Sequence, residues 1–207
     1  AAQTGNAARF PEPGVPRIGV LNWYGTRTLF FKEVRRFLKV HTQTIWAPAV
    51  TTLLFLVIFT VALGRAGQTI LGVPFATFLG PGLIAMAMVQ NAFANTSSSL
   101  MIGKVQGTIV DILMPPLSPG ELLLGYVGGG VARAFAVGAA VWAAIALWPG
   151  ADATIRAPWA VFYFGLMGAI WLSLLGILTG IWAEKFDHTA AITNFVIQPL
   201  SLLSGTF

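Results

Sequence analysis

The chain has no cysteine among its 207 residues, so it carries neither a disulfide framework nor a thiolate metal site. It is also poor in charge: 9% of residues are Asp, Glu, Lys or Arg, where a soluble domain carries about 25%. A surface facing water on all sides cannot be covered with so few charges. Histidine is nearly absent, and His41 and His188 stand too far apart in sequence to read as a ligand cluster. Nucleotide and hydrolase signatures are missing as well. Gly103-Lys104 is followed by valine and lacks the upstream glycine of a phosphate-binding loop, and neither His-Glu-x-x-His nor Gly-x-Ser-x-Gly occurs. The sequence shows no catalytic chemistry and implies no cofactor in this chain.

What is abundant is apolar: 56% of residues are hydrophobic. Runs of about 20 such residues suffice to cross a hydrocarbon core of roughly 30 Å. Five are expected to be spans, at about 44–63, 75–102, 121–148, 157–182 and 190–207. They are too long for strands and lack two-residue alternation, so the class is all-α, a polytopic transmembrane bundle. The first run starts more than 40 residues in, unlike a cleaved leader. The last run is still apolar at Phe207, and the chain starts without methionine. The expectation is a fragment lacking a final span and a cytoplasmic tail.

The formal net charge of +5 is concentrated before the first span, which suits a membrane surface better than nucleic acid. Arg9, Arg17, Arg27, Lys32, Arg35, Arg36, Lys39, Lys104 and Lys185 fall on one predicted side, and only Arg65 and Arg156 on the other. Nine against two places the N-terminus in the cytoplasm. Trp46, Trp148, Trp159 and Trp182 near span ends fit interfacial aromatic belts.

Residues 1–22, with Pro11, Pro13 and Pro16, read as a flexible cytoplasmic arm. Residues 23–43 read as an amphipathic interface helix. Phe30, Val34, Phe37 and His41 recur at helical spacing, and Lys32, Arg35, Arg36 and Lys39 lie together on another face. The helix either anchors and orients the chain or also touches a cytoplasmic partner.

Within the transmembrane domain, 44–207, several polar features stand out. Gly80-Pro81-Gly82 is expected to kink or break the second span. Asn91 and Asn95 share a face that must point into protein or a wet cavity. The polar run from Asn95 through Ser99 reads as the helix emerging into cytoplasm. Gly128, Gly129 and Gly130 allow close packing but weaken the third span by about 1 kcal/mol each. Arg133 lies roughly 18 Å along the helix from Glu121. It is either a functional group or a structural charge that snorkels or pairs with carbonyls. Gly176-x-x-x-Gly180 is a packing motif.

The loop 103–120 carries Ile109, Ile112 and Leu113 as a short apolar stripe, stopped by Pro115, Pro116 and Pro119. Such a stripe lies on the bilayer or docks into another protein.

Three stretches together resemble the membrane subunits of type-2 bacterial ABC exporters. They are Phe78-Leu-Gly-Pro-Gly-Leu-Ile84 with Asn91-Ala-Phe-Ala-Asn95; Asp111-Ile-Leu-Met-Pro-Pro-Leu-Ser-Pro119 leading into Gly125-Tyr-Val-Gly-Gly-Gly-Val-Ala-Arg133; and Thr193-Asn-Phe-Val-Ile-Gln-Pro-Leu200 with Leu203-Ser-Gly-Thr-Phe207. The resemblance runs from about residue 27 to the end. It implies an exporter permease fold with five spans present and the sixth missing. Two permease copies would pair in the bacterial inner membrane and receive separate cytoplasmic ATPase subunits, which hold the ATP and Mg. The expected ATPase contacts are Lys32, Arg35, Arg36, Lys104, Ile109, Asp111, Ile112 and Leu113. Pro81, Asn91, Asn95, Gly128, Gly129, Gly130 and Arg133 are expected in the pathway or its packing. An amphipathic, lipid-linked or drug-like substrate would leave along the permease dimer interface. The competing readings are an ion-coupled secondary transporter using Arg133, and a truncated permease serving as a non-transporting subunit of another membrane complex. No nucleic-acid partner is expected.

Overall fold

The structure, a computed structural model, describes residues 21–62, 69–70, 72–148, 154–155 and 157–203. Most of the N-terminal arm, with Arg9 and Arg17, and the sites of Arg65, Asp152 and Arg156 lie outside the described residues.

Helix α1 (Trp23–Lys39) starts at Asn22, whose Oδ1 accepts from the Gly25 amide at 2.9 Å. That bond satisfies one of the orphan donors of the first turn. The chain turns into α2 (Ala47–Val57) through a π-helical turn at Thr42–Trp46. Pro48, which has no N–H to offer the carbonyl one turn back, stands two residues after that turn. A second π turn, Ile58–Ala62, ends the span, and a two-residue hairpin pairs β1 (Thr69–Ile70) with β2 (Val73–Pro74). Gly72 in its turn has φ +78°, a conformation glycine adopts freely.

Helix α3 (Phe75–Val105) runs through Pro81 without a break, so the Gly-Pro-Gly stretch does not divide this span. Pro81 is exposed on the bundle surface and joins no internal site. After the short α4 (Ile109–Leu113), α5 (Pro119–Ala146) opens with a capping box between Ser118 and Glu121 and a proline in its first turn. Then come α6 (Pro158–Trp182), α7 (Phe186–Ile192), a π turn at Thr193–Ile197 and α8 (Gln198–Leu203).

Four helical segments among the described residues are long and apolar enough to cross a bilayer: Thr42–Val61, α3, α5 and α6. They match the first four expected spans to within a few residues. Where the fifth span is expected, from about residue 190, the described residues hold three short helical pieces, Phe186–Ile192, Thr193–Ile197 and Gln198–Leu203, which are not among the segments long and apolar enough to cross a bilayer.

Helix α3 is central, packed along α5 and α6; α1 and α2 both lie on α5. The interior is layered. At one end Leu56, Leu79, Leu83, Val137, Val141 and Ile145 interlock. Met88, Ala92, Ala134 and Ala169 form the next layer, and Leu29, Leu100, Tyr126 and Ile177 form another near the α4 end. The outer face of α6 exposes Trp159, Phe162, Trp171 and Leu178, which hydrocarbon accommodates and water does not.

Candidate functional site

Polar residues fill the level between the last two apolar layers. Glu33 of α1 is fully buried and forms an ion pair with Arg36 at 3.0 Å. Ser99 Oγ donates to the other Glu33 oxygen at 2.7 Å. Arg36 reaches on to α3: Nη2 donates to Asn95 O at 2.7 Å and to Asn95 Oδ1 at 3.0 Å, and Nη1 to Ser98 Oγ at 3.3 Å. A carboxylate removed from water this completely needs a paired cation and further donors, and Arg36 and Ser99 provide them.

Two expectations change here. The inward stripe of α1 is Thr26, Leu29, Glu33 and Phe37, so Arg36 leaves the basic face and turns into the bundle. Lys32, Arg35 and Lys39 do remain on the outer side. The second change concerns Asn95, Thr96, Ser97 and Ser99. They are buried inside the bundle and do not mark a helix emerging into water. Thr96 Oγ1 donates to Ser173 O of α6 at 2.9 Å, and Ser97 Oγ donates to Phe93 O at 2.8 Å. Sequence reasoning missed Glu33 altogether; its only signal was a lone acid at i, i+3 from an arginine on an otherwise basic helix.

The three glycines of α5 are where this assembly closes. A Cβ on Gly129 would meet Glu33 Cβ at 2.4 Å, and one on Gly130 would meet Ser173 Oγ at 2.3 Å. Gly128 faces the Phe30 ring. They form a notch for α1 and α6. Gly176 and Gly180 do the same on α6: added methyls would strike Phe93 O at 2.6 Å and Leu100 Cβ at 2.8 Å.

One turn from Asn95 on the same face of α3, Asn91 accepts from Arg133 Nη2 at 2.9 Å. Two asparagines four residues apart thus each take one arginine, Arg36 from α1 and Arg133 from α5. Arg133 points into the bundle, and its Nε is buried without an acceptor. Asn91 also lines a cleft of about 380 Å³ between α2, α3 and α8.

The loop residues divide by face. Ile109 and Ile112 pack half-buried against the layer of Leu29, Leu100 and Tyr126, so the bundle itself occupies that stripe. The outward apolar side chains are Val110, Leu113 and Met114, at 54%, 61% and 76% exposure, and Asp111 is exposed beside them. Lys104 is engaged elsewhere: its Nζ donates to Ile181 O at 2.5 Å and Ala183 O at 3.0 Å, capping the C-terminus of α6.

The loop is also joined to α1. Glu121 accepts from the Asn22 amide with one oxygen and from the Ser118 amide, at 2.7 Å, with the other. Asn22 Nδ2 donates to Pro116 O at 3.3 Å, and the Leu117 side chain lies against Gly25. The first turn of α1 and the loop after α4 therefore form one hydrogen-bonded corner.

Comparison with known proteins places these features in context. A family model described as "ABC-2 type transporter" matches residues 24–207. The inner membrane transport permease YadH of Escherichia coli K12 is 34% identical over 187 residues, covering 90% of the chain and 72% of YadH. YadH of Shigella flexneri gives the same figures. No solved structure matches.

Proposed function

This chain belongs to the ABC-2 type transporter family, the membrane permeases of ABC transporters, and we propose that it is the permease of an ATP-driven exporter. In this reading it is a multi-pass inner-membrane protein with its N-terminus in the cytoplasm. It pairs with a second permease copy and takes its energy from a separate ATPase subunit that holds ATP and Mg. An amphipathic substrate then leaves along the dimer interface.

The observation that carries the reading is the two-faced α4. Its inner side, Ile109 and Ile112, is already seated on the bundle, while Val110, Leu113 and Met114 stand out beside Asp111. A protruding apolar knob on a loop between two spans is a docking element of the helix-in-groove kind. Its link to α1 through Glu121 and Asn22 gives a partner pushing on the knob a rigid lever. Helix α1 in turn is bolted to α3 through Arg36 and Asn95. A stroke delivered at the loop thus reaches the spans through hydrogen bonds and packed side chains.

The test is co-purification of the full-length permease with its ATPase in mild detergent. Leu113→Asp and Met114→Asp each bury a charge in the partner's groove and should release the ATPase while the permease stays folded. Ile112→Asp should destabilise the permease itself, because that side chain faces the bundle. Retention of the ATPase by the Leu113→Asp and Met114→Asp variants would overturn the docking surface.

A further inference from the structure

Arg133 stands about 21 Å along α5 from Pro119, inside a segment fit to span the bilayer. Its single hydrogen bond goes to a neutral amide, Asn91 Oδ1, and no carboxylate pairs with it among the described residues. The neighbouring cation is accounted for, since Arg36 is matched by Glu33. Among the described residues Arg133 therefore stands in the bundle without a counter-ion. Such a charge is costly to keep from water and is ordinarily retained where an ion or ligand meets it.

What lies beside it is the cleft that Asn91 lines. Its other polar walls are Gln43, Thr51, Thr52, Gln90 and Gln198, amides and hydroxyls, and no charged side chain is among them. Its remaining walls are apolar, including Phe55 and Met86. Hydrogen-bond donors, an uncompensated cation one side chain behind them, and apolar walls together fit a negatively charged headgroup carried on an apolar tail. We infer that this cleft binds the anionic headgroup, phosphate or carboxylate, of an amphiphile, with Asn91 touching the headgroup and Arg133 supplying the counter-charge. The inference deepens the permease reading by naming the class of substrate, and its test needs no ATPase.

The full-length permease, alone in neutral detergent, is titrated with pyrene-labelled phosphatidic acid and with pyrene-labelled diacylglycerol, its uncharged counterpart. Energy transfer from tryptophan reports binding; Trp46 stands next to the cleft residue Ala47. Close charge pairs at binding sites support a preference of about tenfold or more for the anionic probe. Arg133→Gln should reduce that preference to less than about twofold and leave diacylglycerol binding unchanged. Asn91→Asp should do the same by a different route, since the new carboxylate takes up Arg133 internally. It keeps the hydrogen bond, so the test stands even if Arg133→Gln fails to fold. Arg27→Gln and Lys39→Gln, on the outer side of α1, should preserve the preference.

Equal binding of the two probes by the wild type overturns the inference. So does a preference that survives both Arg133→Gln and Asn91→Asp, or one that vanishes in the α1 variants. Displacement of the lipid probe by millimolar inorganic phosphate would make the ligand a soluble anion and overturn the amphiphile. If the ATPase is retained while the preference is absent, only this inference falls. If the preference is present and no ATPase binds, only the exporter reading falls.

Discussion

Glu33 and Gly129 touch so closely that a methyl group on the glycine would come within 2.4 Å of Glu33 Cβ. The contact joins a buried carboxylate on α1 to the backbone of α5. It explains why a run of glycines, unfavourable to a helix by itself, stands in the middle of α5.

Gly129→Ala should therefore separate α1 from α5. The obstructing atom is a Cβ close to the backbone and cannot swing aside, so a cost of about 1–3 kcal/mol is expected. That outweighs the gain in helix propensity of about 1 kcal/mol. Gly128→Ala meets only a movable Phe30 ring edge at 3.0 Å and should be nearly neutral. Thermal unfolding of the two variants in one detergent checks the ranking; equal midpoints would remove the notch from the account.

The ion pair inside that notch gives a second test. Arg36→Gln leaves the fully buried Glu33 without its cation, at a cost of about 3–5 kcal/mol; Glu33→Gln leaves only the part-exposed Arg36 without its carboxylate and should cost less. The double variant should cost clearly less than the two single changes added together, because neither charge then remains stranded. Lys32, half exposed and 3.6 Å from Glu33, should contribute less than about 1 kcal/mol. A double-mutant cycle that comes out additive would mean the pair is not coupled.

Four of the five expected spans were legible because a 20-residue apolar run has few alternatives. Which side of each element faces inward was less legible. On α1 Arg36 read as part of a basic face toward headgroups or a partner, yet it pairs with Glu33 and turns into the bundle. The Asn95–Ser99 run read as an exit into water because polar side chains at a span end usually mark one. Here α1 covers that end of α3 and supplies Arg36 and Glu33 as partners. In α4 five residues make little more than one turn, so spacing alone could not decide whether Ile109 and Ile112 face the bundle or a partner. The Arg133–Asn91 contact spans 42 positions, and the sequence could mark both residues as inward without showing that they meet.

The last prediction concerns which end of the bundle faces the cytoplasm. Lys104 at the end of α3 donates to carbonyls at the end of α6, so the following Lys185 lies at that same end. Asn22 and Glu121 bring the start of α1 there too. The basic residues of α1, Lys104 and Lys185 thus gather on one side of the membrane, which the positive-inside rule assigns to the cytoplasm. The native chain has no cysteine, so single introduced thiols report position without background. Met114→Cys, 76% exposed just before α5, and Leu147→Cys, 85% exposed just after it, sit at opposite ends of one span. In intact cells expressing the permease without ATPase, a membrane-impermeant maleimide should label position 147 and spare position 114. Permeabilisation should then open position 114. Labelling of 114 but not 147 in intact cells would invert the topology and place the apolar knob of α4 where no cytoplasmic ATPase could reach it.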